Sequence, residues 1–170
     1  MNAIELLKAD HHRVRTMFRE MEQSEKDAEK RQLLAFRIFE ELLTHARIEE
    51  KLFYPAVEKA LDNGSAEKLR TSRADHAGAE RLIRELSALS PDDEAFAPRF
   101  VRLVRDMEHH MAEEEAEVLP LAARVLRGEL EDLGCKMEAM RKDLGQPKSR
   151  RGELGVTRAE QADEDPDGLL

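Results

Sequence analysis

The chain has no tryptophan, one tyrosine (Tyr54), one cysteine (Cys135) and only 4% aromatic residues in 170 positions. Aromatic side chains are among those that favour strands, so their scarcity points to an all-α fold. A lone cysteine excludes an intrachain disulfide, and no apolar run approaches the roughly 18–20 residues needed to cross a bilayer. The opening stretch MNAIELLKADHH has an early acid and no small-residue cleavage site, so it does not read as a signal peptide. These absences favour a reducing cytoplasm. Positive charge is also in short supply: 28 Lys and Arg against 37 Asp and Glu leave a net charge of −9. Nucleic acid and anionic membranes both need a cationic surface, so neither is expected as a partner.

What is present is helical periodicity. A helix capped by Asn2, with Glu5 reaching back, carries Ile4, Leu7, His11, Val14, Phe18 and Met21 at spacings of three and four. The polar run Ser24 to Asp27 ends it. A second helix from Ala28 to Leu61 carries Ile38, Leu42, His45, Glu49, Leu52 and Ala56 on one stripe, and Pro55 is expected to kink or loosen it just after that motif. Asp62-Asn63-Gly64-Ser65 reads as a turn. The third helix, to about Leu89, buries Leu69, His76, Ala79, Ile83 and Leu86. The fourth starts near Pro98, presents Phe100, Leu103, Met107, His110, Glu114 and Leu121, and stops at Gly128. A shorter fifth helix follows with Leu130, Leu133, Met137, Met140 and Leu144, ended by Gly145. From Gln146 periodicity disappears. The expected organisation is an up-down antiparallel four-helix bundle with a short fifth C-terminal helix over residues 1–145, and a disordered acidic tail over 146–170.

The chain also repeats itself. LTHARIEEKLFYP (43–55) and EHHMAEEEAEVLP (108–120) align on their prolines, placing His45 on His110, Glu49 on Glu114 and Glu50 on Glu115, each displaced by 65 positions. The same displacement carries Asp10-His11 onto Asp75-His76. Residues four apart lie about 40° apart around a helix, so His45 and Glu49 point the same way, as do His110 and Glu114. Counted from the turns at about 1.5 Å per residue, the six side chains fall within roughly one helical turn of a common level. Antiparallel packing brings them to one layer of the bundle. A single histidine on an apolar stripe is usually satisfied by ordinary hydrogen bonds. Four of them in a repeated register, with two carboxylates, suit a pair of first-row transition metals bridged by the carboxylates.

Together these motifs resemble the hemerythrin-like (HHE cation-binding) domains over roughly residues 3–144, on Asp10-His11, HARIEEKLFYP at 45–55, Asp75-His76 and HMAEEEAEVLP at 110–120. The resemblance implies an up-down four-helix bundle and a non-haem di-iron centre that meets dioxygen or another small oxidant. The implied ligands are His11, His45, Glu49, His76, His110 and Glu114, with manganese as the alternative ion. The chain departs from oxygen-carrying members twice. Glu80 stands where they have a second third-helix histidine, and glutamates stand at both the fourth and fifth positions after the last ligand histidine (Glu114, Glu115), where they end with an aspartate at the fifth. One ion then takes Glu80, water or nothing.

Around these six, Glu50 and Glu115 lie about 100° away and read as supporting or solvated groups. Glu41 and Asp106, one turn before the motif histidines, are expected to orient them. His12 and His109 have no counterparts and read as surface residues. Tyr54, about 180° from His45 on an ideal helix, reads as structural, the methionines read as packing, and Cys135 is given no role. Two functions compete: a di-iron protein that binds or senses dioxygen, nitric oxide or peroxide, and a di-iron redox enzyme that consumes peroxide or oxidises iron. In a third reading the centre stabilises the bundle and the tail recruits a partner. Ferritin-type oxidases use Glu-x-x-His, whereas the order here is His-x-x-x-Glu.

Overall fold

The computed structural model describes residues 1–24, 27–61 and 67–145. The expected turn at 62–65 and the tail at 146–170 lie outside these residues. All regular structure among the described residues is helical: α1 (Ala3–Gln23), α2 (Ala28–Ile48), a π-helical turn π1 (Glu49–Phe53), α3 (Tyr54–Ala60), α4 (Glu67–Leu86), α5 (Phe96–Glu113), a second π-helical turn π2 (Glu114–Val118), α6 (Leu119–Val125) and α7 (Leu130–Gly145). The π turns join their neighbours without a break. α2–π1–α3 and α5–π2–α6 are therefore single long helices, and α1, α4 and these two make the four-helix bundle, with α7 as the fifth helix.

The ends follow from local chemistry. Asn2 Oδ1 accepts from the Glu5 N–H and Glu5 Oε2 accepts from the Asn2 N–H, both at 3.0 Å, which closes the capping box of α1. Asp27 caps α2 by accepting from the Lys30 N–H at 2.9 Å. α4 ends at Leu86, three residues short of the expected Leu89, and α5 begins at Phe96. Pro98 thus sits in the first turn of α5, where a backbone N–H has no helical partner to lose.

Pro55 does loosen its helix, but on the motif and not after it, and Pro120, for which no disturbance is expected from the sequence, does the same. The Tyr54 N–H reaches back to Glu49 O and the Leu119 N–H to Glu114 O, each a span of five residues. Proline cannot supply the usual bond one residue later, and the wider turn absorbs the mismatch. One additional residue in a turn sets all later residues back by about 100°. The buried stripe slips accordingly: Leu52, Ala56 and Leu121, expected inside, are half-buried, while Phe53, Val57 and Ala122, each one residue on, are buried.

Two apolar clusters fill the bundle. One holds Val14, Phe18, Ile38, Leu42, Ile83, Leu103 and Met107; the other holds Leu7, Ile48, Phe53, Tyr54, Leu69 and Val118 with Met137 of α7. Each fully buried side chain of this size contributes about 1.5–3 kcal/mol through burial. On each long helix the histidine and glutamate stand where the residues of one cluster give way to those of the other, so a polar layer crosses the bundle there. Gly134 lets α7 lie close: a Cβ at that position would fall inside the backbone of Met1 to Ala3.

Candidate metal centre

Six elements deliver one side chain each to the polar layer: His11 from α1, His45 from α2, Glu49 from π1, His76 from α4, His110 from α5 and Glu114 from π2. All six are buried. The imidazoles form two pairs, with ring centroids 4.9 Å apart for His11 and His45 and 4.6 Å for His76 and His110. The glutamates lie between the pairs. Glu49 Oε2 is 3.2 Å from the Nε2 atoms of both His45 and His76. Glu114 Oε2 is 3.5 Å from the Nε2 atoms of both His11 and His110. Each carboxylate thus meets one imidazole of either pair, as a bridge between two ions would.

The donor set fits metal on observations of its own. His11 Nε2, His45 Nε2, Glu49 Oε1 and Glu114 Oε2 are buried atoms without a hydrogen-bond partner. Orphaned buried polar atoms are costly, and a cation shared among them removes that cost. His76 Nε2 and His110 Nε2 lie 3.0 Å apart. Two nitrogens each about 2.1 Å from one ion at a right angle would be about 3.0 Å apart. Two overlapping groups, His45–Glu49–His76–His110 and His11–His45–Glu49–Glu114, each bring their ligand atoms within 4.8 Å of one another.

Behind every imidazole stands a further carboxylate at Nδ1. Glu115 meets His11 at 2.8 Å and Glu50 meets His76 at 3.1 Å. Asp10 faces His45 and Asp75 faces His110, both at 3.5 Å. Each pair maps onto its counterpart under the 65-residue shift. A carboxylate that takes the Nδ1 proton fixes the tautomer that turns the Nε2 lone pair inward. Glu50 and Glu115 therefore stand behind the rings as supporting groups. The aspartates occupy the place expected for Glu41 and Asp106. Glu41 instead meets Arg13 and Arg141, and Asp106 pairs with Arg102 and Arg105 at the surface. The repeated Asp-His pair is the sequence signal that marks Asp10 and Asp75.

Glu80 does not join the layer: it is 60% exposed and its Oε1 pairs with Arg84 at 3.2 Å. His12 and His109 are exposed, the latter beside Glu113. Tyr54 is the larger departure from expectation. The extra residue of π1 turns it from the far side of the helix towards the layer, where its hydroxyl lies 2.6 Å from Glu114 Oε1 and 3.0 Å from Glu49 Oε2. Position 119, its counterpart, is Leu119. The proline after Tyr54 was the available signal.

Burial and charge set the electrostatics. Burial pulls His45 and His76 down, but the neighbouring carboxylates, Glu49 foremost with Glu114 beside it, together outweigh it and hold both above the ordinary imidazole value. Burial pushes Glu49 up, and the same two imidazoles overcome that and hold it well below the usual carboxylate range. Burial, Glu49 and Glu114 all raise Tyr54, so its phenol keeps its proton. A cavity of about 390 Å³ reaches this layer, with all four ligand-type histidines, Met107 and Met111 in its wall and Glu50, Lys51 and Glu80 among its polar residues. That is ample space for a small oxidant.

The sequence profile of the hemerythrin HHE cation binding domain matches residues 2–122 and, in a second overlapping match, 73–162. The second match opens just before Asp75-His76, as the internal repeat would have it. The chain is 29% identical over 116 residues to a DNA nickase from Nostoc sp., covering 68% of this chain and 32% of that protein. It therefore spans about a third of that relative's length. The fold is similar to the crystal structure of a hemerythrin HHE cation-binding domain-containing protein from Mycobacterium kansasii, with a TM-score of 0.74, 27% identity, and coverage of 85% of this chain and 87% of that one.

Proposed function

The chain belongs to the hemerythrin HHE cation-binding domain family, and on that premise we propose that it holds two non-haem iron ions and binds or senses dioxygen or a related small molecule such as nitric oxide or peroxide. The observation that carries this reading is the set of four orphaned buried donor atoms on His11, His45, Glu49 and Glu114. Two imidazoles per ion and two carboxylates between the ions suit iron, and manganese is the alternative. Iron, when bound, supplies the redox and ligand-exchange chemistry.

The chain's own residues would do the rest. His11 and His45 would hold one ion, His76 and His110 the other, and Glu49 and Glu114 would bridge them. The carboxylates at Nδ1 would keep each ring aimed and neutral at Nε2. The apolar clusters on either side would exclude bulk water, and the cavity beside the histidines would admit the small molecule. Tyr54 would hold a proton against both glutamates inside the layer.

That proton gives a second reading its support: a redox enzyme that consumes peroxide would use a donor placed there. The iron-oxidising version is weaker, because the motif order is His-x-x-x-Glu. Nickase activity is not carried over to this chain, whose net charge of −9 offers little to a phosphate backbone. We further propose a cytoplasmic location, from the single cysteine. Among the described residues no helix is long and apolar enough to cross a membrane. Metal analysis of protein purified without oxygen, followed by an optical titration with dioxygen, nitric oxide and hydrogen peroxide, tests the reading. It predicts iron-dependent absorption that changes on addition of at least one of them. Spectra identical with and without iron would refute it.

A further inference from the structure

His45 and His110 are equivalent under the repeat, but the carboxylates behind them are held differently. Asp10, 1% exposed, is ion-paired with Arg13 of its own helix and with Arg141 of α7. Glu41 closes the group, 2.8 Å from both guanidiniums. Asp75, behind His110, is 34% exposed and has no arginine partner among the described residues. The other two rings share the contrast in arginines but not in exposure, since Glu115 is 33% exposed. Glu115, behind His11, receives Arg15 at 2.7 Å, and Arg15 is itself held by Glu108. Glu50, behind His76, is 39% exposed and likewise lacks an arginine. Among the described residues, three arginines brace one pair of histidines and none braces the other.

We infer that the two ion positions are inequivalent: the His11–His45 position retains its ion, the His76–His110 position exchanges it, and Arg141 of the fifth helix is the positioning residue that sets the difference. The inference rests on the two-metal reading above. A carboxylate pinned by an arginine keeps its histidine aimed, whereas one without a cation is free to turn to water. Partners of this kind change metal affinity by about 10–100-fold. Charge opposes order here, since an arginine-neutralised aspartate draws less on the Nδ1 proton. Order wins because Asp10 is buried and held by guanidiniums from two helices, so it has neither room nor a solvent partner to turn away from His45. α7 packs against α1, α2 and π1, and it lies outside the 65-residue repeat, so the fifth helix is where the two halves cease to be alike.

The test is iron release from the full chain, loaded with two ions, into excess chelator, followed optically. Two phases of equal amplitude are expected, separated by about tenfold or more in rate. Arg141→Ala should speed the slow phase about tenfold and leave the fast phase alone, with Arg141→Lys in between. Asp75→Asn should speed only the fast phase, and Arg84→Ala, whose partner is the exposed Glu80, neither. Melting of each metal-free variant verifies its fold; should Arg141→Ala fail to fold, Arg141→Lys and Glu41→Gln make the same comparison. A single release phase from protein holding two ions, or a slow phase indifferent to these variants, overturns the inference and leaves the two-metal reading standing. Protein that never holds two ions overturns that reading itself.

Discussion

The Tyr54 hydroxyl donates to Glu114 across sixty residues of sequence, at 2.6 Å, from a helix whose ideal geometry would have turned it away. The same hydroxyl lies 3.0 Å from Glu49, so one phenolic proton serves the two carboxylates at the centre of the layer. Tyr54→Phe removes that proton and little volume. Metal content should stay at two ions per chain, while metal-free protein should lose about 1–3 kcal/mol, the usual cost of a buried acceptor left without its donor. Denaturant unfolding with and without metal checks both. A halved metal content would make Tyr54 a ligand and not a donor.

His110→Ala and His109→Ala alter adjacent residues with opposite environments. His110 is 2% exposed and His109 71% exposed. His110→Ala should lower iron content and melting temperature together, whereas His109→Ala should change stability by less than about 0.5 kcal/mol. His11→Ala against His12→Ala repeats the comparison in the other half. Loss of iron from His109→Ala with retention in His110→Ala would show the register to be wrong.

Glu80→Ala should leave metal content unchanged, since Glu80 pairs with Arg84 at the surface. A fall in bound metal, read by elemental analysis, would mean that Glu80 swings inward when ions bind.

Acid and base should act oppositely on the empty and the loaded protein. In the empty protein His45 and His76 are held above the ordinary 6.5, so their contribution to stability is complete below about pH 6.5 and is lost as pH rises through their raised values. Glu49 is held low, so its contribution is complete above about 4.5 and fades only as pH falls towards its depressed value. The metal-free chain should therefore be most stable at about pH 4.5–6.5 and melt lower at pH 8. Metal requires neutral imidazoles, so loaded protein should gain on the empty form as pH rises and lose metal as it falls. Melting curves of both forms from pH 5 to 8 decide the matter; a metal-free melting temperature that climbs towards pH 8 would contradict the assigned couplings.

Much of the fold was legible because its signals are local. The caps at Asn2 and the stripes of α1 and α4 depend only on period and side-chain type. The burial of His11 and His76 followed from their places on those stripes, and that of His45 and His110 from the matching stripes of α2 and α5 and from the repeat. What was not legible arises where a local rule bends. Pro55 announced a disturbance, but period alone could not say that it would be a π turn beginning on Glu49, or that Pro120 would bring a second one on Glu114. For that reason Phe53, Val57 and Ala122 were missed as core and Tyr54 was missed at the site. Asp10 and Asp75 were visible only as neighbours of histidines. Arg141 had no signal at all, since its contact with Asp10 spans 131 residues and belongs to neither repeat.

The central claim is that two half-repeats build one centre for two ions. Elemental analysis of the full chain, saturated with iron without oxygen and freed of loosely bound metal, tests it most directly. The account predicts two irons per chain, reduced in the His110→Ala variant. A saturated content of one iron per chain would contradict it.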